Sequence, residues 1–192
     1  MRTFLCLPID EALRERLSAL GRNLRERVHV RASWVRPENY HVTVRFLGEI
    51  DPMLTIPLRD ACDIVAARIP PFGLRIDRLG AFPSAERARV LWAGGDGPPP
   101  FRALVSSVED ELTTLGFERG REAAVSHVTV ARIKGRPDGS IREAFDALRD
   151  VPEWVLRVER LALMESELTP YGARYNPLFS LPLRGVDRDA AV

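Results

Sequence analysis

The sequence predicts an α+β fold, in which mostly antiparallel strands carry helices on their outer side. Short alternating apolar runs recur along the chain, and between them lie stretches with apolar residues every three or four positions. A strand–helix–strand order is met in each half. The chain has 192 residues, 45% of them hydrophobic and 29% charged, which suffices for one large or two small, closely packed units. We expect a single bilobal domain over residues 1–192, with the lobe boundary near 94–100 and a polar C-terminal tail over about 185–192.

Residues 2–7 read as a first strand. Asp10 can cap a helix whose Leu13, Leu17, Leu20 and Leu24 form one stripe, fading near Val28. Residues 41–46 alternate as a strand does, and Gly48 ends them. Asp51-Pro52 opens a second helix running to about Arg68, with Pro57 tolerable only in its first turns, and Pro70-Pro71 breaks it. Strands are expected at about 72–79 and 89–93, followed by a loop at Gly94-Gly95-Asp96-Gly97-Pro98-Pro99-Pro100. A helix over about 101–115 places Leu104, Val108, Leu112 and Leu115 on one side and stops at Gly116. Beyond it come a strand at 127–133, a helix at about 140–149, and strands at about 155–163 and 178–183.

Composition narrows the function classes. No apolar run approaches the roughly 18 residues of a membrane span, and the N-terminal apolar stretch is broken by Pro8 and Asp10 without a small-residue cleavage site. Cys6 and Cys62 lack CxxC spacing, so buried, reduced thiols in a cytoplasmic protein are expected. The formal charge is +1, too little for a global polycation, yet residues 21–47 and 119–136 each carry +4. Two local basic zones suggest a small phosphate-bearing ligand rather than a long duplex. The glycines at 94, 95 and 97 are not followed by Lys-Ser/Thr and do not make a P-loop.

His-Val-Thr-Val occurs twice, at 41–44 and 127–130, and takes two of the three histidines. In a strand, His and Thr at i and i+2 share a face, about 7 Å apart, while the intervening valines face the core. Each motif therefore offers an imidazole that can act as acid or base near neutral pH and a hydroxyl that can bind an oxyanion. Two such strands across a cleft suit phosphodiester hydrolysis. One imidazole takes a proton from attacking water, the other protonates the departing oxygen, and the hydroxyls hold the nonbridging oxygens. The scheme requires no metal or other cofactor, and no Asp, Glu or Cys sits at ligand spacing to complete a site on the two histidines.

Here the sequence resembles the two-histidine phosphoesterases, specifically the bacterial and archaeal RNA 2′,3′-cyclic phosphodiesterases once called 2′-5′ RNA ligases. The resemblance covers almost the whole chain. It is carried by Arg2-Thr3-Phe4 with Pro8, by residues 34–49 around the first motif, and by Gly80-Ala81-Phe82-Pro83 leading into Arg89-Val90-Leu91-Trp92. Ser126-His127-Val128-Thr129-Val130-Ala131-Arg132, Ser166-Glu167-Leu168 and Gly172-Ala173-Arg174-Tyr175 complete it. One departure is Ser126, where relatives commonly place Pro. The resemblance implies two pseudo-symmetric lobes around a central cleft lined by both motif strands. It also implies catalytic His41, as proton donor, and His127, as proton acceptor, with Thr43 and Thr129 beside them.

Arg45 shares the expected face of His41 and Thr43, whereas strict alternation points Arg132 away from His127 unless the strand bulges. Arg45 and Arg132 are both candidate substrate contacts. Tyr40 and Phe46 could stack a base, as could Trp34, although each also suits the core. Tyr175, with Arg174, falls in a turn-like segment that could reach the cleft, and His29 lacks a Thr partner. The expected substrate is an RNA end or oligonucleotide bearing a cyclic phosphate, handled by a monomer without membrane or metal. Small cyclic phosphates, 2′-5′ linked oligonucleotides, or nucleotide or RNA binding without turnover are the alternatives.

Overall fold

The computed structural model describes residues 1–120, 125–170 and 172–186. The last six residues of the expected polar tail lie outside these. The order of elements is β1 (Arg2–Pro8), α1 (Glu11–Arg27), β2 (Ala32–Trp34), β3 (His41–Glu49), α2 (Thr55–Arg68), β4 (Phe72–Ile76), β5 (Arg78–Phe82) and β6 (Val90–Gly94). These are followed by α3 (Pro99–Thr114), β7 (His127–Ile133), α4 (Gly139–Ala147), β8 (Trp154–Val158), β9 (Arg160–Thr169) and β10 (Gly172–Pro182).

Local chemistry explains the helix boundaries. The Asp10 carboxylate accepts from the Leu13 amide at 2.7 Å, Glu11 sits in the first turn of α1, and Arg25 and Arg27 sit in its last. The expected leucine stripe is buried. Pro57 is the third residue of α2, where an unpaired amide is normal, so it breaks nothing. Pro99 and Pro100 likewise begin α3 two residues earlier than expected, because the first helical turn needs no amide donor. Among the described residues, no helix is long and apolar enough to cross a membrane.

The main sheet runs β10-β9-β1-β3-β7-β6-β5, antiparallel throughout, with β2 also on β7; β4 and β8 form a separate pair. The two halves of the main sheet meet at one residue pair, Val42 opposite Val128. These valines hold the same position in the two repeated tetrapeptides. Equivalent residues paired antiparallel lie on a local twofold axis, so the sequence repeat is also a repeat in space. Helices cover the outer face. There α1 packs on α4 and β7, and α2 packs on α3, β9 and β10. The main core lies between helices and sheet and includes Leu5, Leu7, Val42, Val44, Val128, Val130, Leu91 and Ala93. A small separate cluster, Phe4, Cys6 and Ala162, lies on the other face of β1 and β9. Both cysteines are free and buried, and burial pushes each thiol up to about 12.

Three expectations are corrected. The strand expected at 72–79 is two strands in different sheets, divided at Asp77, whose amide bonds the Gly94 carbonyl at 3.0 Å. The strand expected at 155–163 likewise divides at Glu159. The segment around Arg174 and Tyr175, expected as turn-like, is instead the start of β10, where these residues pair with Glu167 and Ser166 of β9. Its side chains are mostly half-exposed and polar, so the strand is held by its own ladder without an apolar face to signal it.

Candidate active site

Both motif strands carry a β-bulge at the same place, and this decides which residues face the cleft. On β1 and β3, Cys6 pairs with Thr43 but Leu5 pairs with Arg45, leaving Val44 as an additional residue. On β6 and β7, Trp92 pairs with Thr129 but Leu91 pairs with Ala131, leaving Val130 in the same role. A bulge reverses the alternation beyond it. Before it, His41 with Thr43 and His127 with Thr129 face away from the core, while Val42, Val44, Val128 and Val130 are buried. After it, Arg45 and Ala131 turn to the helix side, and Phe46 and Arg132 take the cleft side. Burial agrees: Ala131 is fully buried, Arg132 is exposed, and Phe46 is 56% exposed.

The bulges thus reverse two expectations. Arg45, expected beside Thr43, lies behind β3, with its Nε 2.9 Å from the Glu109 carboxylate and Nη2 donating to the Glu118 carbonyl at 2.6 Å. Arg132 is turned onto the face of His127. Among the described residues no carboxylate pairs with it, and its positive charge bears on the imidazoles of both His-Val-Thr-Val motifs. Tyr40 is also corrected. It is buried under α1, where a Cβ on Gly21 would stand 3.0 Å from its hydroxyl, so it does not reach the cleft. Trp34 packs against the main core. His29 is exposed, and its amide bonds Ser140 Oγ on α4.

The two histidines are held alike. His41 Nδ1 lies 2.8 Å from the Asn39 carbonyl, and His127 Nδ1 lies 2.8 Å from the Val125 carbonyl. A carbonyl only accepts, so Nδ1 carries the proton in both rings and Nε2 of each neutral ring is left with the lone pair. His41 Nε2 lies 3.1 Å from Thr43 Oγ1. Each ring rests against two aromatics, one from the neighbouring strand of its own half-sheet. For His41 these are Phe4 and Tyr175, at centroid distances of 4.7 and 5.3 Å. For His127 they are Phe82 and Trp92, at 5.0 and 6.1 Å. Phe46 joins the first group at 5.9 Å from Phe4. Nothing in the sequence marks Phe4, Phe82 and Trp92 as neighbours of the histidines, because an apolar residue in a strand reads as core.

The backbone beneath His127 is close-packed. A Cβ on Gly94 would come 2.3 Å from the Ser126 carbonyl, and one on Gly80 would come 2.1 Å from the Trp92 ring. Burial is the main cause that lowers both imidazole pKa values, to about 4 for His41. The Asn39 carbonyl partly opposes this at His41, whereas positive charge on His127 and Arg132 adds to it. Both rings are therefore neutral in the free protein near pH 7. Among the described residues no cluster of three or more His, Cys, Asp or Glu is placed to hold a metal ion.

Comparison with known proteins agrees with this geometry. A family model described as "LigT like Phosphoesterase" matches residues 7–92 and 96–175. An RNA 2′,3′-cyclic phosphodiesterase of Methanothermobacter thermautotrophicus is 31% identical over 93% of this chain and 96% of that protein. One of Thermotoga maritima is 29% identical over 96% and 97%. Among solved structures, TT0787 of Thermus thermophilus superposes with a TM-score of 0.79 at 26% identity, covering 96% of this chain and 99% of that one. Escherichia coli LigT, solved with 3′-AMP, shares the fold with a TM-score of 0.68 at 21% identity, over 95% and 97%. Paired His-x-Thr strands meeting on a local twofold axis, in a chain matched almost end to end, place this protein in the LigT-like phosphoesterase family of the two-histidine superfamily.

Proposed function

We propose that the protein opens 2′,3′-cyclic phosphates at RNA ends to 2′-phosphomonoesters, by acid–base catalysis between His41 and His127 and without a metal ion. The observation that carries this reading is the pair of imidazoles related by the Val42–Val128 axis, each with Nδ1–H committed to a carbonyl and Nε2 left for chemistry. The substrate class comes from the relatives, which are named RNA 2′,3′-cyclic phosphodiesterases.

In this mechanism water attacks phosphorus while His127 Nε2 takes its proton. The bond from phosphorus to the 3′ oxygen breaks, and His41 Nε2–H protonates that oxygen as it leaves. Each proton transfer is worth typically about 10²–10⁴-fold. Thr43, Thr129 and Arg132 face the same space and hold the nonbridging oxygens, on which charge grows. Burial disfavours a second positive charge in the cleft of the free protein. The anionic substrate offsets that penalty and lets one ring carry the proton it must donate. Because His41 is the more reluctant ring in the free protein, its donor role depends on the bound phosphate drawing the proton to it.

The test is incubation of an RNA oligonucleotide ending in a 2′,3′-cyclic phosphate with excess EDTA. The expected result is undiminished turnover to a 2′-phosphate. Loss of activity on chelation, or tight binding without turnover, would refute the mechanism.

A further inference from the structure

A groove of about 500 Å³ opens beside His41, and the acid–base step makes no use of it. One wall is the segment before β3, with Arg36, Glu38 and Asn39. The other is the start of β10, with Ala173, Arg174 and Tyr175. Two features join this groove to the reaction centre. Tyr175 lines it and also meets the His41 ring edge-on, with planes 82° apart. Asn39 donates from Nδ2 to the Ala173 carbonyl at 2.8 Å while its own carbonyl holds His41 Nδ1, so one residue ties both walls to the imidazole.

The lining chemistry fits a ribose-phosphate chain. Arg36 and Arg174 bring two guanidinium groups from opposite walls; Arg36 lies 4.0 Å from the Glu38 carboxylate, so the lining keeps one positive charge in excess, on the Arg174 side. Among the described residues no carboxylate pairs with Arg174, although ion pairs engage many of the other arginines. Guanidinium forks match phosphate oxygens, a carboxylate can accept from a 2′-hydroxyl, and a tyrosine ring offers a face to a base. Its volume is also within the range of ordinary ligand clefts.

We propose that this groove is the subsite for the RNA chain upstream of the cyclic end, with Arg174 and Arg36 binding the nearest phosphodiester. The proposal rests on the function proposed above and extends it: the substrate is an oligonucleotide, and the RNA leaves the cleft on the His41 side, along the start of β10.

The test compares kcat/KM for a short oligoribonucleotide ending in a 2′,3′-cyclic phosphate with that for the corresponding nucleoside 2′,3′-cyclic monophosphate, at several salt concentrations. Wild type should favour the oligonucleotide, with kcat/KM falling as salt rises. Arg174→Glu should lower the oligonucleotide value by about tenfold and reduce the salt slope by about one, while the ratio of the two substrates moves toward unity. Arg36→Glu, on the opposite wall, should act in the same way. The subsite is refuted if wild type turns over both substrates with equal efficiency, or if Arg174→Glu lowers both in parallel. Failure of wild type to turn over either substrate would instead sink the functional reading on which the subsite rests.

Discussion

Burial of His41 makes stability depend on pH, and a variant lacking this ring exposes its contribution. The folded protein does not protonate this ring until about pH 4, whereas an unfolded chain takes up the proton near the ordinary value of 6.5. The unfolded state therefore binds more protons between these values, and stability falls as pH drops through the window. Above pH 6.5 the penalty vanishes. Each pH unit between the two titrations is worth about 1.4 kcal/mol. Moving from pH 7 to 4.5 should then remove about 2 kcal/mol through His41, with some of the full value lost to the ring's partial contact with solvent. The assay is urea unfolding of wild type and His41→Asn at pH 7, 6, 5 and 4.5. The variant has its own stability at pH 7, so only the slopes are compared. Wild type should lose about 2 kcal/mol more than the variant over this range. Parallel curves would show that His41 titrates alike in both states and that its burial does not govern its charge.

Two further perturbations follow from the packing around His127. Ser126 is 1% exposed, and its hydroxyl has no hydrogen-bond partner among the described residues. Ser126→Ala should stabilise by about 1 kcal/mol, seen as a Tm rise of about 2–4 °C; an unchanged or lowered Tm would mean that the hydroxyl is satisfied in solution. Gly80→Ala should drive the Trp92 ring from its place against His127, lowering stability by about 1–3 kcal/mol and kcat/KM together. Wild-type values in both assays would show that the ring has room to shift.

The sequence and the structure agree most closely where periodicity and end signals coincide. The leucine stripe of α1 with its Asp10 cap, and the Val-flanked histidines of β3 and β7, are local patterns whose burial follows from the pattern itself. The bulges at Val44 and Val130 are not local in this sense. They are defined by the register of β1 and β6, and the bulged residues are ordinary strand formers, so nothing in His-Val-Thr-Val-Arg-Phe or His-Val-Thr-Val-Ala-Arg marks them. That one hidden feature exchanges Arg45 for Phe46 at the cleft and brings in Arg132. Comparing the two motifs position by position, with Arg45 matching Ala131 and Phe46 matching Arg132, offers the only trace of it. An arginine and an alanine are an odd match on the cleft face and an easy one behind it. The aromatic walls and the Asn39 tie were illegible for a related reason. They depend on which strands become neighbours and on how far the β9–β10 hairpin extends.

The central claim is that two like imidazoles, one protonated and one neutral, act in the same step. The most direct measurement is kcat/KM against pH for hydrolysis of an RNA 2′,3′-cyclic phosphate, which reports the ionisations of the free enzyme. Because burial lowers both imidazoles from 6.5, the account predicts a bell centred on the acid side of that value. Its limbs should be lost in His41→Ala and His127→Ala, with activity reduced by at least about 100-fold in each. A rate that rises monotonically between pH 5 and pH 9, or survives either substitution, would contradict it.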